Sequence, residues 1–132
     1  KIAPVIDCTI GIFTNIGEAH REGFISQKEK IAETFLSSKG LDLIERNFNS
    51  KVGEIDLIMK DGEYLVFIEV RYRDNKDYGG ALASITPHKQ RKFHKAAEFY
   101  LIKNFSNSPP PCRIDAIGIE AENEIEWIKN AF

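Results

Sequence analysis

The chain has 132 residues, of which 42% are hydrophobic and 29% are charged, as is typical of a soluble domain with one core. No apolar run approaches the ~20 residues that a membrane-spanning helix requires, so we expect no membrane association. Cys8 and Cys112 form no CxxC pair, which gives no support to a zinc or thiol-redox motif and favours a reduced, cytoplasmic protein.

Charge is distributed unevenly along the chain. The formal net charge is −2, which by itself argues against a protein that binds nucleic acid. Residues 71–95, however, contain seven basic and two acidic residues, a local charge of +5, so the rest of the chain carries −7. Such a segment can bind a polyanion, or it can be an ordinary solvated loop and helix face.

The first 40 residues predict a strand, a loop and a helix. Residues 4–13 are apolar and predict a strand, whereas residues 14–26 predict a loop. The pattern S-x-x-E at Ser26–Glu29 fits a capping box, which predicts a helix that runs to about Lys39. Gly40 is expected to end this helix.

The remaining residues predict three strands, a second helix and two further strands. Asp61-Gly62 is a strong signal for a tight turn between two apolar runs and therefore predicts a hairpin. Thr86 fits a helix N-cap, with Pro87 at the first helical position. The predicted strands are Leu41–Phe48, Glu54–Met59, Glu63–Tyr72, Cys112–Ile119 and Glu124–Ile128, the second helix runs from Thr86 to about Asn104, and Asn49–Lys51 and Asn75–Gly80 are expected to be a turn and a mobile loop. This order predicts an α/β fold in which helices flank a mixed sheet.

Two carboxylates stand inside the apolar runs of the hairpin. Asp56 lies in the first run and Glu69 in the second, and side chains of adjacent antiparallel strands can point to the same side. Carboxylates that are brought together repel unless a proton or a cation lies between them. A hard divalent cation such as Mg²⁺ suits an all-oxygen site with few protein ligands. Alternatively, Arg71 and Arg73 neutralise the two acids in a structural network.

The order of these acidic motifs resembles a known superfamily. Glu29 on a helix, GEID at residues 53–56 and E-x-[K/R] at residues 69–71 follow the order found in PD-(D/E)xK nucleases. The sequence is more similar still to the YraN-type family of predicted endonucleases, distant relatives of archaeal Holliday junction resolvases. The motifs that carry this resemblance, within residues 28–132, are KEKIAETFLSSKG, LIERNF, GEIDLI, VFIEVRYR, YGGALASITPHKQRKF, CRIDAIGI and EIEWIKNAF. The resemblance implies a restriction-endonuclease-like fold with an αβββαβ core.

The same resemblance implies a role for each matching residue. Asp56 and Glu69 correspond to the acids that bind Mg²⁺ or Mn²⁺, and Glu29 corresponds to the helix acid that supports them. Arg71 stands at the position of the motif lysine, and Gln90 at that of a polar helix residue near the site. Glu54 is a weaker candidate for the site, and the basic segment adds Arg73, Lys89, Arg91 and Lys92 as residues expected to bind nucleic acid.

Arg71 departs from the superfamily's usual pattern. A lysine at this position can orient the attacking water and can lose its proton, whereas arginine has a pKa above ~12 and cannot act as a base. Arginine can still hold a water molecule or stabilise negative charge on a phosphate. Metal ligation and phosphate binding are therefore expected to tolerate Arg71 better than fast hydrolysis does.

The N-terminal part of the chain resembles a different family. Residues 9–25, TIGIFTNIGEAHREGFI, are similar to a piece of the central domain of Mur ligases, in which the residue matching His20 belongs to the metal and nucleotide region. The chain has no phosphate loop of the G-x-x-x-x-G-K-[ST] type, so we interpret His20 as an exposed loop residue. Residues 1–26 are then an extension of a nuclease-like domain at residues 27–132. The apolar strand at residues 4–13 is a candidate contact for a homodimer, because an unpaired apolar edge invites association.

Together these features predict a metal-dependent endonuclease that hydrolyses phosphodiester bonds of DNA, with branched DNA as a candidate substrate. One alternative is a catalytically weak nucleic-acid-binding protein that uses the same fold and the basic helix. Another is a fusion chimaera without selected activity. Metal-dependent cleavage, salt-sensitive binding without cleavage, and the absence of both behaviours distinguish the three hypotheses.

Overall fold

The computed structural model describes residues 27–72, 82–120 and 124–132. The predictions for residues 1–26, for Arg73 and for the loop at 75–80 lie outside the described residues. The described elements are α1 (Gln27–Ser38), β1 (Asp42–Ser50), β2 (Gly53–Asp61), β3 (Tyr64–Tyr72), a 3₁₀ turn (Leu82–Ser84), α2 (Pro87–Phe105), β4 (Cys112–Ile119) and β5 (Ile125–Ile128). From residue 27 onward, the predicted order of helices and strands is confirmed.

The five described strands form one mixed sheet in the order β1-β2-β3-β4-β5. β1, β2 and β3 are antiparallel neighbours, β4 lies parallel to β3, and β5 is antiparallel to β4. Parallel neighbours need a crossover connection, and α2 lies in the connection between β3 and β4. The chain therefore has the α/β, restriction-endonuclease-like architecture that the sequence predicts.

The turn predicted at Asn49–Lys51 is wrong by two residues. β1 continues through Ser50, which pairs with Gly53 of β2, so only Lys51 and Val52 connect the two strands. The Ser50 hydroxyl stabilises this short connection, because it donates to the Gly53 carbonyl at 2.8 Å and accepts from the Val52 amide at 3.3 Å. The longer β1 brings Lys51 close to the start of β2.

The two helices cover opposite faces of the sheet. On one face, Phe93 and Tyr100 of α2 pack with Ile55 and Phe67 of the central strands. On the other face, α1 contributes its small and apolar residues to a second cluster, which contains Ala32, Leu36, Leu57, Val66, Ile68 and Ile117. The central strands are therefore buried on both faces, and a charge placed among them must find a partner.

The start of α2 is fixed as the sequence predicts. The Thr86 hydroxyl accepts a hydrogen bond from the Lys89 amide at 3.2 Å, and Pro87 occupies the first turn. The first two turns of α2, which carry Lys89 and Lys92, lie near the start of β2 and the end of β3. Among the described helices, none is long and apolar enough to cross a membrane.

Candidate active site

The sheet opens between β2 and β3. Their antiparallel pairing extends from Asp61 and Tyr64 at the tight turn to Leu57 and Ile68, and it includes no pair beyond these within residues 27–72. The first part of β2 nevertheless stays paired with β1, and the last part of β3 stays paired with β4. Residues 53–56 and 69–72 therefore border a wedge-shaped opening, and we refer to it as the sheet opening.

Asp56 occupies the inner end of the sheet opening. Ile55 packs in the cluster beneath α2 and Leu57 in the cluster beneath α1, and the regular side-chain alternation of β2 is interrupted between them. The Asp56 side chain accepts a hydrogen bond from the Val70 amide, with Oδ2 2.8 Å from the nitrogen. Asp56 thus takes the place of a strand partner for Val70, which fixes its carboxylate between the two strands.

Lys28 of α1 binds the other backbone group of Val70. Its Nζ donates to the Val70 carbonyl at 3.0 Å, so both backbone groups of Val70 are satisfied by side chains. Lys28 was missed in the sequence analysis. The available signal was its place immediately before Glu29, in the first turn of the predicted helix.

Glu69 and Arg71 form an ion pair on β3. Arg71 Nη2 lies 2.8 Å from Glu69 Oε2, and the two side chains are 25% and 13% exposed. Arg71 Nε is buried and has no hydrogen-bond partner among the described residues. The guanidinium is therefore held at one end by Glu69, while another of its donors is unused.

The acids of the site remain incompletely neutralised despite these cations. Burial, followed by the charge of Asp56, raises the pKa of Glu69 to about 7, although Arg71 and Lys28 act in the opposite direction. Burial, followed by Asp56, also raises the pKa of Glu29 to about 7. Glu29 is only 7% exposed on α1. Asp56 therefore lies between two carboxyls whose ionisation it disfavours.

Asp115 shows how the same fold fully neutralises a buried acid. Its carboxylate is 0% exposed, and it accepts hydrogen bonds from the Arg113 guanidinium, the Trp127 indole and the Asn130 amide at about 3 Å. Every partner comes from β4 or from β5 and the residues after it, so this network holds the last strand in place. In the sheet opening, by comparison, Asp56 accepts from the Val70 amide and Glu69 pairs with Arg71, which is a smaller set of donors for each acid.

The sheet opening leads into a cavity of about 400 Å³. Its lining combines acids with several cations from four different elements: Lys28, Ser50, Lys51, Gly53, Glu54, Asp56, Glu69, Arg71, Lys89, Lys92 and Phe93. Gly53 allows α2 to approach the start of β2 closely, because a Cβ there would lie 2.8 Å from the Lys92 carbonyl oxygen. Several positive charges in one cavity with carboxylates suit a phosphate bound beside a metal ion.

The structure brings together most of the residues that the sequence analysis singled out. Glu54, Asp56, Glu69 and Arg71 line the cavity, as do Lys89 and Lys92 of the predicted basic helix. Three predicted residues lie outside the cavity lining: Glu29 is buried beside Asp56, the Gln90 amide donates to the Ile85 carbonyl at 3.2 Å, and Arg91 is exposed.

Asn47 is a further residue that the sequence analysis missed. It lies within β1 with a φ of 53°, in the left-handed region that asparagine tolerates better than most residues. Its side chain interacts with Glu29 and lowers the pKa of that carboxyl. The signal in the sequence was an asparagine in the middle of a strand, where this residue is depleted.

The donor set fits a hard cation that keeps most of its water ligands. In the part of the chain that the structure describes, no group of three or more His, Cys, Asp or Glu residues is arranged to hold a metal ion. Asp56 and Glu69 offer two carboxylates beside the cavity, and Mg²⁺ commonly binds through one or two carboxylates together with water and phosphate oxygens. The mutual repulsion of the acids would be relieved by such an ion.

Comparison with known proteins places the chain in a family. A sequence model described as "Uncharacterised protein family UPF0102" matches residues 28–119, from α1 to the end of β4. The chain belongs to the UPF0102 family. This is the YraN-type family whose motifs appear in the sequence, and the match spans α1, the three antiparallel strands, α2 and β4.

Individual UPF0102 proteins resemble the chain over most of their length. A UPF0102 protein of Nitrosomonas eutropha is 51% identical over 107 residues, which cover 81% of this chain and 90% of that protein. UPF0102 proteins of Alcanivorax borkumensis and Herminiimonas arsenicoxydans are 46% and 52% identical, over 79% and 78% of this chain and 86% and 81% of their own lengths. The names of these relatives state no activity.

Proposed function

We propose that this UPF0102 protein is a Mg²⁺- or Mn²⁺-dependent endonuclease that hydrolyses phosphodiester bonds of DNA. The observation that carries the proposal is the sheet opening, where Asp56 and Glu69 lie in one cavity with cations from α1, the β1–β2 connection, β3 and α2. Acids alone would repel the substrate, and cations alone would bind it without holding a metal ion. Their combination in one cavity is what metal-assisted phosphodiester hydrolysis requires.

Five residues of the cavity, together with Glu29, have separate roles in this proposal. Asp56 and Glu69 would hold the metal ion, which supplies Lewis acidity and a more acidic water when it is bound. Arg71, held by Glu69, directs a guanidinium at the phosphate and stabilises negative charge there. Lys89 and Lys92, both exposed on α2, bind the flanking DNA backbone. Glu29 supports Asp56 from α1.

Cleavage of a panel of labelled linear, flapped and four-way DNAs, with Mg²⁺ or Mn²⁺, tests the proposal. We expect cleavage by the natural chain and its loss in Asp56→Asn and in Glu69→Gln. Asp42→Asn and Glu63→Gln are matched controls, because both residues are exposed and lie outside the cavity. Cleavage that persists in both active-site variants would show that the activity does not depend on these acids.

One observation favours a second candidate, a DNA-binding protein of low catalytic power. Arg71 already pairs with Glu69 at 2.8 Å, so part of the negative charge of the site is neutralised without a metal ion. In that case DNA binds with strong salt dependence and the panel stays intact at every metal concentration. The same cleavage assay, combined with a binding titration, therefore separates the two candidates.

A further inference from the structure

Two cations deep in the cavity differ in how their charge is neutralised. Arg71 is paired with the carboxylate of Glu69, whereas the bonded partner of Lys28 Nζ is the neutral carbonyl of Val70. In the described residues, no carboxylate lies within ion-pair distance of Lys28. Lys28 interacts with Glu29 and Glu69 only at longer range, where its charge lowers the pKa of each carboxyl. An ammonium has three donors, of which the Val70 carbonyl uses one.

Lys28 also reaches the cavity from a different direction than the two lysines of α2. It belongs to α1, which covers one face of the sheet, while Lys89 and Lys92 belong to α2 on the other face. All three side chains line the same cavity. Because the sheet is open at this point, a phosphate in the cavity has cations on both sides of the plane of the strands.

We propose that Lys28 is a phosphate-binding residue of this site. The Val70 carbonyl holds its ammonium at the inner end of the sheet opening, where the remaining donors contact a phosphate oxygen of the DNA from the α1 side. The inference rests on the proposed function for its substrate class. Lys28 adds a phosphate contact that neither the PD-(D/E)xK motif nor the basic helix supplies.

DNA binding in the presence of a chelator tests this role without any catalytic turnover. Dissociation constants of a short duplex are measured over a range of salt concentrations for the natural chain, Lys28→Gln, Lys28→Arg and Lys30→Gln. Loss of one phosphate contact is expected to lower the steepness of the log K against log salt plot by about 0.9. Lys28→Gln should show this decrease, Lys28→Arg should restore the slope, and Lys30→Gln should not change it, because Lys30 is exposed outside the cavity.

Lys28→Gln separates phosphate binding from a merely structural role. Glutamine can still donate a hydrogen bond to the Val70 carbonyl but carries no charge. If Lys28→Gln keeps the same slope of log K against log salt as the natural chain, Lys28 only binds this carbonyl, and the inference would be overturned. An unchanged slope in Lys30→Gln together with a decrease in Lys28→Gln supports it.

A measurement on the unaltered chain covers the case in which Lys28→Gln does not fold. Lysine acetylation is followed by mass spectrometry with and without saturating duplex, and we expect DNA to protect Lys28 but not Lys30. Equal protection of both, or none at Lys28, would overturn the inference. The proposed function fails separately, when cleavage is absent or survives Asp56→Asn, and a chain that binds no DNA would refute both.

Discussion

The substitution Asp56→Asn in the metal-free protein tests the electrostatic description of the site most directly. Asparagine is nearly isosteric with aspartate and keeps a side-chain oxygen that can accept the hydrogen bond from the Val70 amide. It removes the negative charge that lies between the carboxyls of Glu29 and Glu69. We therefore expect a variant that is more stable than the natural chain near pH 8.

The size of this effect follows from the two raised pKa values. Each carboxyl moves from 4.5 to about 7, which corresponds to about 3 kcal/mol of folding free energy that is lost when the group ionises. Burial is the largest cause for both, and Asp56 is the second, so removal of the Asp56 charge should recover on the order of 1 kcal/mol per carboxyl. The expected gain near pH 8 is therefore about 2 kcal/mol.

The sign of the pH dependence is fixed by the same values. A carboxyl whose pKa is raised on folding contributes stability that is fully present below its unfolded pKa and is lost as the pH rises through its folded pKa. For Glu29 and Glu69 this window extends from about 4.5 to about 7. The difference between Asp56→Asn and the natural chain should therefore be small below the window and reach its full size above it.

Urea unfolding with a chelator, at about pH 5 and about pH 8, measures these free energies. Asp42→Asn serves as the control, because Asp42 is exposed at the start of β1 and its substitution should change little at either pH. If Asp56→Asn is equally destabilised at both pH values, Asp56 acts mainly as a partner of Val70. The electrostatic reasoning would then be refuted.

Two further predictions concern the metal ion and the packing of α2 against the start of β2. Millimolar Mg²⁺ or Mn²⁺ should raise the melting temperature of the natural chain by mass action. The double variant Asp56→Asn, Glu69→Gln should lose this rise in melting temperature. An equal rise in both proteins would exclude the two acids as ligands. Gly53→Ala should destabilise the chain by about 1–3 kcal/mol in urea unfolding, because its Cβ would meet the Lys92 carbonyl oxygen. Gly62→Ala is the comparison, since that site also has positive φ but no neighbour within 4 Å, and an equal loss would assign the effect to the backbone conformation.

The fold could be predicted because it rests on local patterns that are strong in this sequence. Thr86-Pro87 fixed the start of α2, and the tight turn at Asp61-Gly62 fixed the pairing of β2 with β3. The apolar run Cys112–Ile119 coincides with β4. These signals depend on a few neighbouring residues, and tertiary contacts did not override them.

The detailed geometry of the site could not be predicted, because it depends on where strand pairing stops. The predicted hairpin placed Asp56 and Glu69 on neighbouring strands, but no sequence pattern marks the end of the β2–β3 pairing at Leu57 and Ile68. The partnership of Lys28 with Val70 spans 42 positions in the chain and exists only because the sheet opens there. Residues that fill such a gap become recognisable only from the three-dimensional arrangement.

The substitution Arg71→Lys tests the proposed nuclease site at the position where the resemblance to PD-(D/E)xK nucleases implies a lysine. Arg71 is paired with Glu69, and Lys28 places an ammonium in the same cavity. Lysine at position 71 has a similar reach, and its pKa can fall on burial. We therefore expect Arg71→Lys to keep the fold and the metal response and to preserve or raise cleavage, whereas Arg71→Ala should lower both cleavage and DNA affinity. Melting curves with and without Mg²⁺, together with the cleavage panel, measure these effects. An Arg71→Lys protein that unfolds or no longer responds to metal would mean that the guanidinium is a structural partner of Glu69, and the DNA-binding protein of low catalytic power would then become the better description.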